Sequence, residues 1–93
     1  MIKITKIFKD DKTVILKVDG QVAGKSVSSL EKECIYYRSK AKKTVILDFS
    51  GVTFIDNKGV RMLERIKDKK TKIVNCSLFI EELLQNIITG DKK

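Results

Sequence analysis

Apolar and polar residues alternate with a period of two in the first part of the chain. Ile2, Ile4 and Phe8 alternate with polar residues such as Lys3 and Lys9, with Ile7 slightly out of step, and residues 13–18 place three apolar side chains on one face. This period is typical of half-buried strands, and the acidic pair at residues 10–11 is typical of a turn. We therefore predict an antiparallel hairpin whose first strand lies at a sheet edge. The Asp-Gly pair at residues 19–20 is expected to end the second strand.

Helical spacing replaces this alternation further along the chain. The first helix is expected to follow Ser26 as its N-cap. Its inward-facing residues are predicted to be Val27, Leu30, Cys34, Tyr37 and Ala41. Because Tyr36 and Tyr37 are adjacent, one of them is expected to be exposed, where it could support an interface. A last helix is predicted to begin at Ser77 and to end just before Gly90. Its broad apolar stripe consists of Phe79, Ile80, Leu83, Leu84, Ile87 and Ile88.

The middle of the chain predicts the fold class. Residues 44–49 are almost continuously apolar, which is typical of a central strand covered on both faces. Residues 50–57 are expected to connect this strand to a second helix, and residues 71–75 to form a parallel strand beyond it. The second helix is predicted to turn Val60, Leu63 and Ile66 inward and Arg61, Glu64, Arg65 and Asp68 outward. The order predicts one α/β domain over residues 1–93: a four-stranded mixed sheet, with an antiparallel hairpin followed by parallel βαβα, and three helices.

Composition narrows the possible functions. The 93 residues include no histidine and carry a net charge of +8. Without imidazole the serine and cysteine triads built on it are excluded, and Cys34 and Cys76 are expected to be buried thiols and not zinc ligands. With no nucleophile–base pair or phosphate-cradling glycine loop, we expect no catalytic residues, no metal and no cofactor. No segment approaches the roughly 20 apolar residues of a membrane-spanning helix, so a cytoplasmic location is expected.

Residues 47–60, with the sequence LDFSGVTFIDNKGV, carry the most specific pattern in the chain. They resemble the STAS family, the anti-sigma factor antagonists and related modules, in which a central strand leads through an acidic loop into a helix. The matching positions are Asp48, Ser50, Val52, Phe54, Ile55, Asp56, Gly59 and Val60. The resemblance extends to the order of elements over essentially the whole chain, and it implies a non-enzymatic domain that binds another protein.

The resemblance also shows where this chain departs from its relatives. In relatives that are switched by a kinase, a phosphorylated serine or threonine occupies the place of Lys58, and Asn57 replaces another residue that is usually Ser or Thr. Neither side chain can form the phosphate ester, so we expect no phosphorylation at the family position. Ser50 is expected to satisfy backbone groups at a strand end, and Asp56 to cap the second helix.

The opening of the second helix is the predicted partner-binding surface. Its candidate residues are Asp56, Asn57, Lys58, Gly59, Arg61, Met62 and Arg65. Met62, between two arginines, is expected to provide a polarisable contact. Two interpretations of Lys58 stay open: it is a solvated residue at a site that has lost its role, or it meets an acidic group on the partner.

Three kinds of partner follow from these observations. The leading hypothesis is a phosphorylation-independent protein-interaction module that binds an anti-sigma factor or a related kinase. An accessory subunit of a lipid or anion transport system is the alternative, because STAS modules also occur there and use the same surface. The basic charge suggests nucleic-acid binding as a third class of function. The small numbers of arginines (three) and aromatic residues (six) and the lack of a nucleic-acid motif disfavour it. A weak homodimer stays open, and membrane insertion is not expected.

Overall fold

The computed structural model describes residues 2–67 and 70–84. Its elements are strand β1 (Ile2–Asp10), strand β2 (Thr13–Val22), helix α1 (Lys25–Ile35), a π-helical turn (Tyr36–Lys40), strand β3 (Thr44–Ile55), helix α2 (Asn57–Ile66), strand β4 (Thr71–Val74) and helix α3 (Leu78–Leu83). The strands form one sheet in the order β1-β2-β3-β4, in which β1 is antiparallel to β2 while β3 is parallel to both of its neighbours. The predicted mixed α/β sheet with three helices is confirmed, as is the position of β1 at an edge.

The two central strands bury alternate side chains against the helices. In β3, Val45, Leu47 and Phe49 have no exposed surface, whereas Ile46 between them is half-buried. Buried residues of α1, α2 and α3 pack into the same hydrophobic core as these three side chains. The prediction that β3 is covered on both faces is therefore wrong. One face of the sheet carries the core, and the other remains partly open to solvent.

Strands β2 and β3 continue well beyond their predicted ends. Gly20, with φ 109°, lies within β2, and the paired strands run on to the match between Val22 and Ile55. Register shifts near residues 17–19 and 20–21 accommodate the irregular segment. The prediction of a connection at residues 50–57 is wrong because each extension satisfies the backbone groups of the other. The paired extensions carry the starts of α1 and α2 to the same end of the sheet.

Helix α1 begins earlier than predicted, after Gly24. This residue has a positive φ of 58° and offers no side-chain cap, so the expectation that Ser26 is the N-cap is wrong. The inward pattern is confirmed, with Val27, Leu30, Cys34 and Tyr37 buried and Ala41 partly buried. Tyr36 is 54% exposed and Tyr37 only 8%, as expected for adjacent residues on one helical segment.

Helix α3 buries only part of its apolar stripe. Ser77 is its N-cap, as predicted, and the hydroxyl accepts a hydrogen bond from the N–H of Ile80 at 3.2 Å. Ile80 and Leu84 are fully buried, but Phe79 is 55% exposed and Leu83 is 37% exposed. Four predictions fall outside the described residues: the apolar stripe positions of Ile87 and Ile88, the helix end just before Gly90 and the outward orientation of Asp68.

Candidate partner-binding surface

The site begins where β2 and β3 end side by side. Because Val22 pairs with Ile55, the residues that follow the two strands leave the sheet side by side. The N–H of Asp56 donates to the carbonyl of Val22 at 3.2 Å. One carboxylate oxygen of Asp56 accepts from the N–H of Gly59 at 2.8 Å, and the other accepts from the N–H of Gly24 at 3.0 Å. Asp56 therefore caps α2, as predicted, and also ties it to the start of α1.

These two bonds set the charge state of Asp56. We call the place where the starts of α1 and α2 meet, around Gly24, Asp56 and Gly59, the corner. The backbone N–H of Gly24 and then that of Gly59 lower the pKa of Asp56 below its ordinary value, and the nearby charge of Lys58 acts in the same direction. An ionised carboxylate at a helix N-terminus is also favoured by the helix dipole. Asp56 consequently holds its negative charge against two backbone N–H groups and offsets part of the positive charge of Lys58.

Four of the predicted partner-binding side chains lie on the surface of α2. Asn57, Lys58 and Arg61 are exposed, and the first turn of the helix contains no acidic residue. Arg65 is exposed too, but its guanidinium lies 3.1 Å from both carboxylate oxygens of Glu31 on α1. Arg65 thus links the two helices, a contact that nothing in the local pattern of α2 indicates.

The structure removes two residues from the predicted contact surface. Met62 has no exposed surface and lies in the core, so the expectation that it provides a contact is wrong. Gly59 is also buried: a Cβ there would lie 2.7 Å from the carbonyl oxygen of Val22 and 2.7 Å from Cγ2 of Ile55. Gly59 allows α2 to begin directly against the sheet, and its role is to position the surface.

Ser50 occupies a different place from the one expected. It lies within β3, five residues before the strand ends, and its N–H donates to the carboxylate of Asp48 at 2.9 Å. This bond is the main reason that the pKa of Asp48 is lowered. A Cβ on Gly51 would collide with the carboxylate of Asp19 on the neighbouring strand, so the two bulged strands pack closely at this point. These residues shape the strand that leads to Asp56.

The cysteines contribute no reactive group to the corner. Burial raises the pKa of the Cys34 thiol to about 12, and it also raises the pKa of Cys76. Cys34 is buried as expected, whereas Cys76 is only half-buried. Across residues 2–67 and 70–84, no three His, Cys, Asp or Glu side chains converge as metal ligands would. The same residues contain no helix long and apolar enough to cross a membrane.

Sequence reasoning missed Gly24 and Glu31, which complete the site. Gly24 contributes a backbone N–H, which leaves no side-chain signal in the sequence, and Glu31 reaches α2 only through the packing of the two helices. A glycine just before a predicted helix was the one available hint, because glycine readily adopts a positive φ such as the 58° of Gly24.

Fold and corner together define an α/β domain with a mixed sheet, helices packed on its core face and an aspartate-capped helix at the end of its central strand. The chain belongs to the STAS domain family, whose model matches residues 5–88. No curated protein sequence matches it significantly.

Solved structures of anti-sigma factor antagonists share this fold. SpoIIAA in its unphosphorylated form is 19% identical, with a TM-score of 0.67 over 92% of this chain and 84% of that one. SpoIIAA of Bacillus in its phosphorylated form is 20% identical, with a TM-score of 0.64 over 89% and 81% of the two chains. An antisigma-factor antagonist STAS domain from Rhodobacter sphaeroides is 22% identical, with a TM-score of 0.60 over 80% and 86%. These similarities show that the chain shares the fold of these domains.

Stability at low pH is expected to depend on Asp56. Its pKa in the folded protein is below the ordinary 3.8, so its contribution is complete above about pH 4 and is lost as the pH falls through the folded value. Asp56→Asn can still accept one of the two N–H bonds but carries no charge. We expect the variant to be less stable than the wild type near neutral pH, and the difference to shrink at about pH 3.

Urea unfolding followed by circular dichroism at both pH values measures this difference. Asp11→Asn, at an exposed turn residue, makes the same change in net charge and is the matched control. A stability difference for Asp56→Asn that is the same at both pH values would contradict the assignment of the charged carboxylate as the stabilising form.

Proposed function

We propose that this chain is a non-enzymatic STAS module that binds an acidic surface of a partner protein through the opening of α2, without control by phosphorylation at Lys58. The single observation that carries the proposal is the capped corner. Both carboxylate oxygens of Asp56 accept hydrogen bonds from backbone N–H groups, those of Gly24 and Gly59, while Asn57 and Lys58 beside it are exposed at the helix start.

The electrostatics of the helix start favour an acidic partner. Lys58 lies in the first turn of α2, where the helix dipole makes a positive charge unfavourable by about 0.3–1 kcal/mol. An acidic group brought by a partner relieves this cost and pairs with Lys58 and with Arg61 on the next turn. Opposite charges of this kind mainly accelerate encounter and select the partner, with a smaller effect on affinity.

The partner class follows from the relatives. SpoIIAA is an anti-sigma factor antagonist that exists in phosphorylated and unphosphorylated forms. The family pattern aligns Lys58 with the phosphorylated hydroxyl of such relatives, so this chain would hold a permanent positive charge where they gain about −1.5 to −2 charges. We infer a constitutive binder of an anti-sigma factor or a related kinase.

Affinity purification followed by mass spectrometry tests the proposal. Wild-type protein is compared with Lys58→Glu and Arg61→Glu, and proteins recovered by the wild type are quantified in each sample. We expect recovery of the main partner to fall about tenfold in each variant, the effect of roughly 1.4 kcal/mol. Lys72→Glu makes the same change in net charge on β4, where the exposed Lys72 pairs with Ile46 near the start of β3, at the other end of the sheet, and should leave recovery unchanged.

The identity of the recovered protein separates the two interaction hypotheses. An anti-sigma factor or its kinase supports the proposal, whereas an ATP-binding transport subunit would assign the chain to a transport complex. Equal recovery by wild type, Lys58→Glu and Arg61→Glu would show that the opening of α2 is not the interface.

A further inference from the structure

A second surface feature lies outside the corner and has no role in the proposed function. Phe8 at the end of β1 is 58% exposed and Tyr36 in the π-helical turn is 54% exposed, although both are large aromatic residues. Tyr37, which is nearly buried, lies between them: its ring centroid is 5.9 Å from that of Phe8 and 5.0 Å from that of Tyr36. We call these three residues the aromatic patch.

The aromatic patch lies at the opposite end of the sheet from the corner. Phe8 pairs with Val14, and Val14 pairs with Val45, the second residue of β3. Asp56 follows the last residue of the same strand. At about 3.3 Å per residue, the two surfaces are roughly 30 Å apart, so one partner contact does not block the other.

The patch is held rigid by the backbone around it. The N–H of Ala41 donates to the carbonyl of Tyr36 at 3.1 Å, and the N–H of Lys43 donates to the carbonyl of Tyr37 at 2.8 Å, which closes the π-helical turn. Such turns interrupt α-helices and are frequently found at functional sites. With the Tyr37 ring buried between the other two, a partner would meet rings that are already ordered, which lowers the entropic cost of binding.

Positive charge lies next to the patch and predominates in the segments that contain it. The ammonium of Lys43 lies 5.9 Å from the ring centroid of Phe8 and donates to the carbonyl of Asp11 at 2.7 Å. Residues 6–12 and 33–43, which contain the patch, include seven Lys or Arg and three Asp or Glu. Two of those acidic groups are already engaged, Glu33 with Lys6 at 3.8 Å and Asp10 with the N–H of Lys12 at 2.8 Å. These two segments, which we call the rim of the patch, therefore carry a net positive charge.

We propose that the aromatic patch is a second docking surface, which takes an acidic protein segment with an apolar anchor residue. The anchor packs on Phe8 and Tyr36, and the acidic residues beside it pair with the lysines of the rim. Exposed aromatic residues in a polar rim are the usual composition of an interface centre. With the corner at its other end, the domain can hold two partners at once.

The geometry favours a protein segment over single-stranded nucleic acid. Neighbouring rings in the patch meet at 66° and 85°, so they pack edge to face. Nucleic-acid binding surfaces present ring faces on which successive bases stack. A cluster of edge-to-face rings suits an apolar side chain that fits between them.

A designed peptide tests the surface without knowledge of the natural partner. The probe is a fluorescein-labelled peptide with a leucine–tryptophan pair flanked on both sides by glutamates, and its binding is measured by fluorescence anisotropy. We expect Phe8→Ser and Tyr36→Ser each to weaken binding by about tenfold or more. Phe79→Ser removes an equally exposed phenylalanine from α3 and should leave the affinity unchanged.

Further variants and probes separate the alternatives. Lys43→Glu should weaken binding of the glutamate peptide, while Lys58→Glu should not, which distinguishes this surface from the corner of the proposed function. A peptide with the central pair replaced by glycines should bind at least about tenfold more weakly than the probe. The proposal would be overturned if the wild type did not bind the probe, or if the wild type and Phe8→Ser bound it equally well. An oligothymidine that bound more tightly than the peptide and lost affinity in Phe8→Ser would reassign the patch to nucleic acid.

Discussion

Replacement of Met62 by alanine is expected to lower the free energy of unfolding by about 2–5 kcal/mol. Met62 has no exposed surface and packs in the core with Leu63 and Ile66 of the same helix. Removal of its side chain leaves a cavity that the neighbouring strands can fill only in part. Urea unfolding followed by circular dichroism gives the difference directly.

The adjacent residue supplies the control for this prediction. Arg61 is exposed on the same turn of α2, and Arg61→Ala should change stability by no more than about 0.5 kcal/mol. If Met62→Ala were as neutral as Arg61→Ala, Met62 would lie on the surface and the described packing of the helix would be wrong.

Replacement of Gly59 by alanine is expected to destabilise the protein by about 2 kcal/mol, although alanine is the better helix former. Helix propensity alone would stabilise the variant by about 1 kcal/mol. The new Cβ, however, would lie 2.7 Å from the carbonyl oxygen of Val22, which belongs to the backbone of β2 and cannot rotate away. Because the contact with the β2 backbone outweighs the gain in helix propensity, we expect the free energy of unfolding to fall.

Asn57→Ala separates these two effects. Asn57 is exposed in the first turn of α2, so alanine there changes helix propensity without a new contact, and stability should stay within about 0.5 kcal/mol. Stabilisation by Gly59→Ala, measured by urea unfolding, would show that α2 does not begin against the sheet. The same variant should also reduce partner recovery, because the displaced helix start carries Lys58.

Local patterns identified two of the three predicted helix caps correctly, the exception being Ser26. Asp56 and Ser77 were predicted as N-caps and are N-caps, because a cap accepts hydrogen bonds from N–H groups two or three residues ahead. The alternation in β2 and the spacing in α1 likewise identify Leu16 and Leu30 as core residues, since a strand and a helix each present one face at a fixed period.

Contacts between distant segments were beyond these patterns. The strands β2 and β3 extend to Val22 and Ile55 because they pair with each other. Asp56 reaches Gly24 only because this pairing brings the ends of the two strands together. The bond between Arg65 and Glu31 has the same origin, in the packing of α2 beside α1. A single sequence contains no period that reports such partners.

By itself, the sequence determined the α/β class, the order of its elements and the capped helix start. These features depend on local periodicity, on capping chemistry and on residue identity. Only the tertiary structure decided that Arg65 meets Glu31, that Gly59 serves close packing and that Phe8 meets Tyr36 and Tyr37 in one patch. The reason is physical: burial and convergence depend on which segments pack together in space, and that packing is a property of the whole chain.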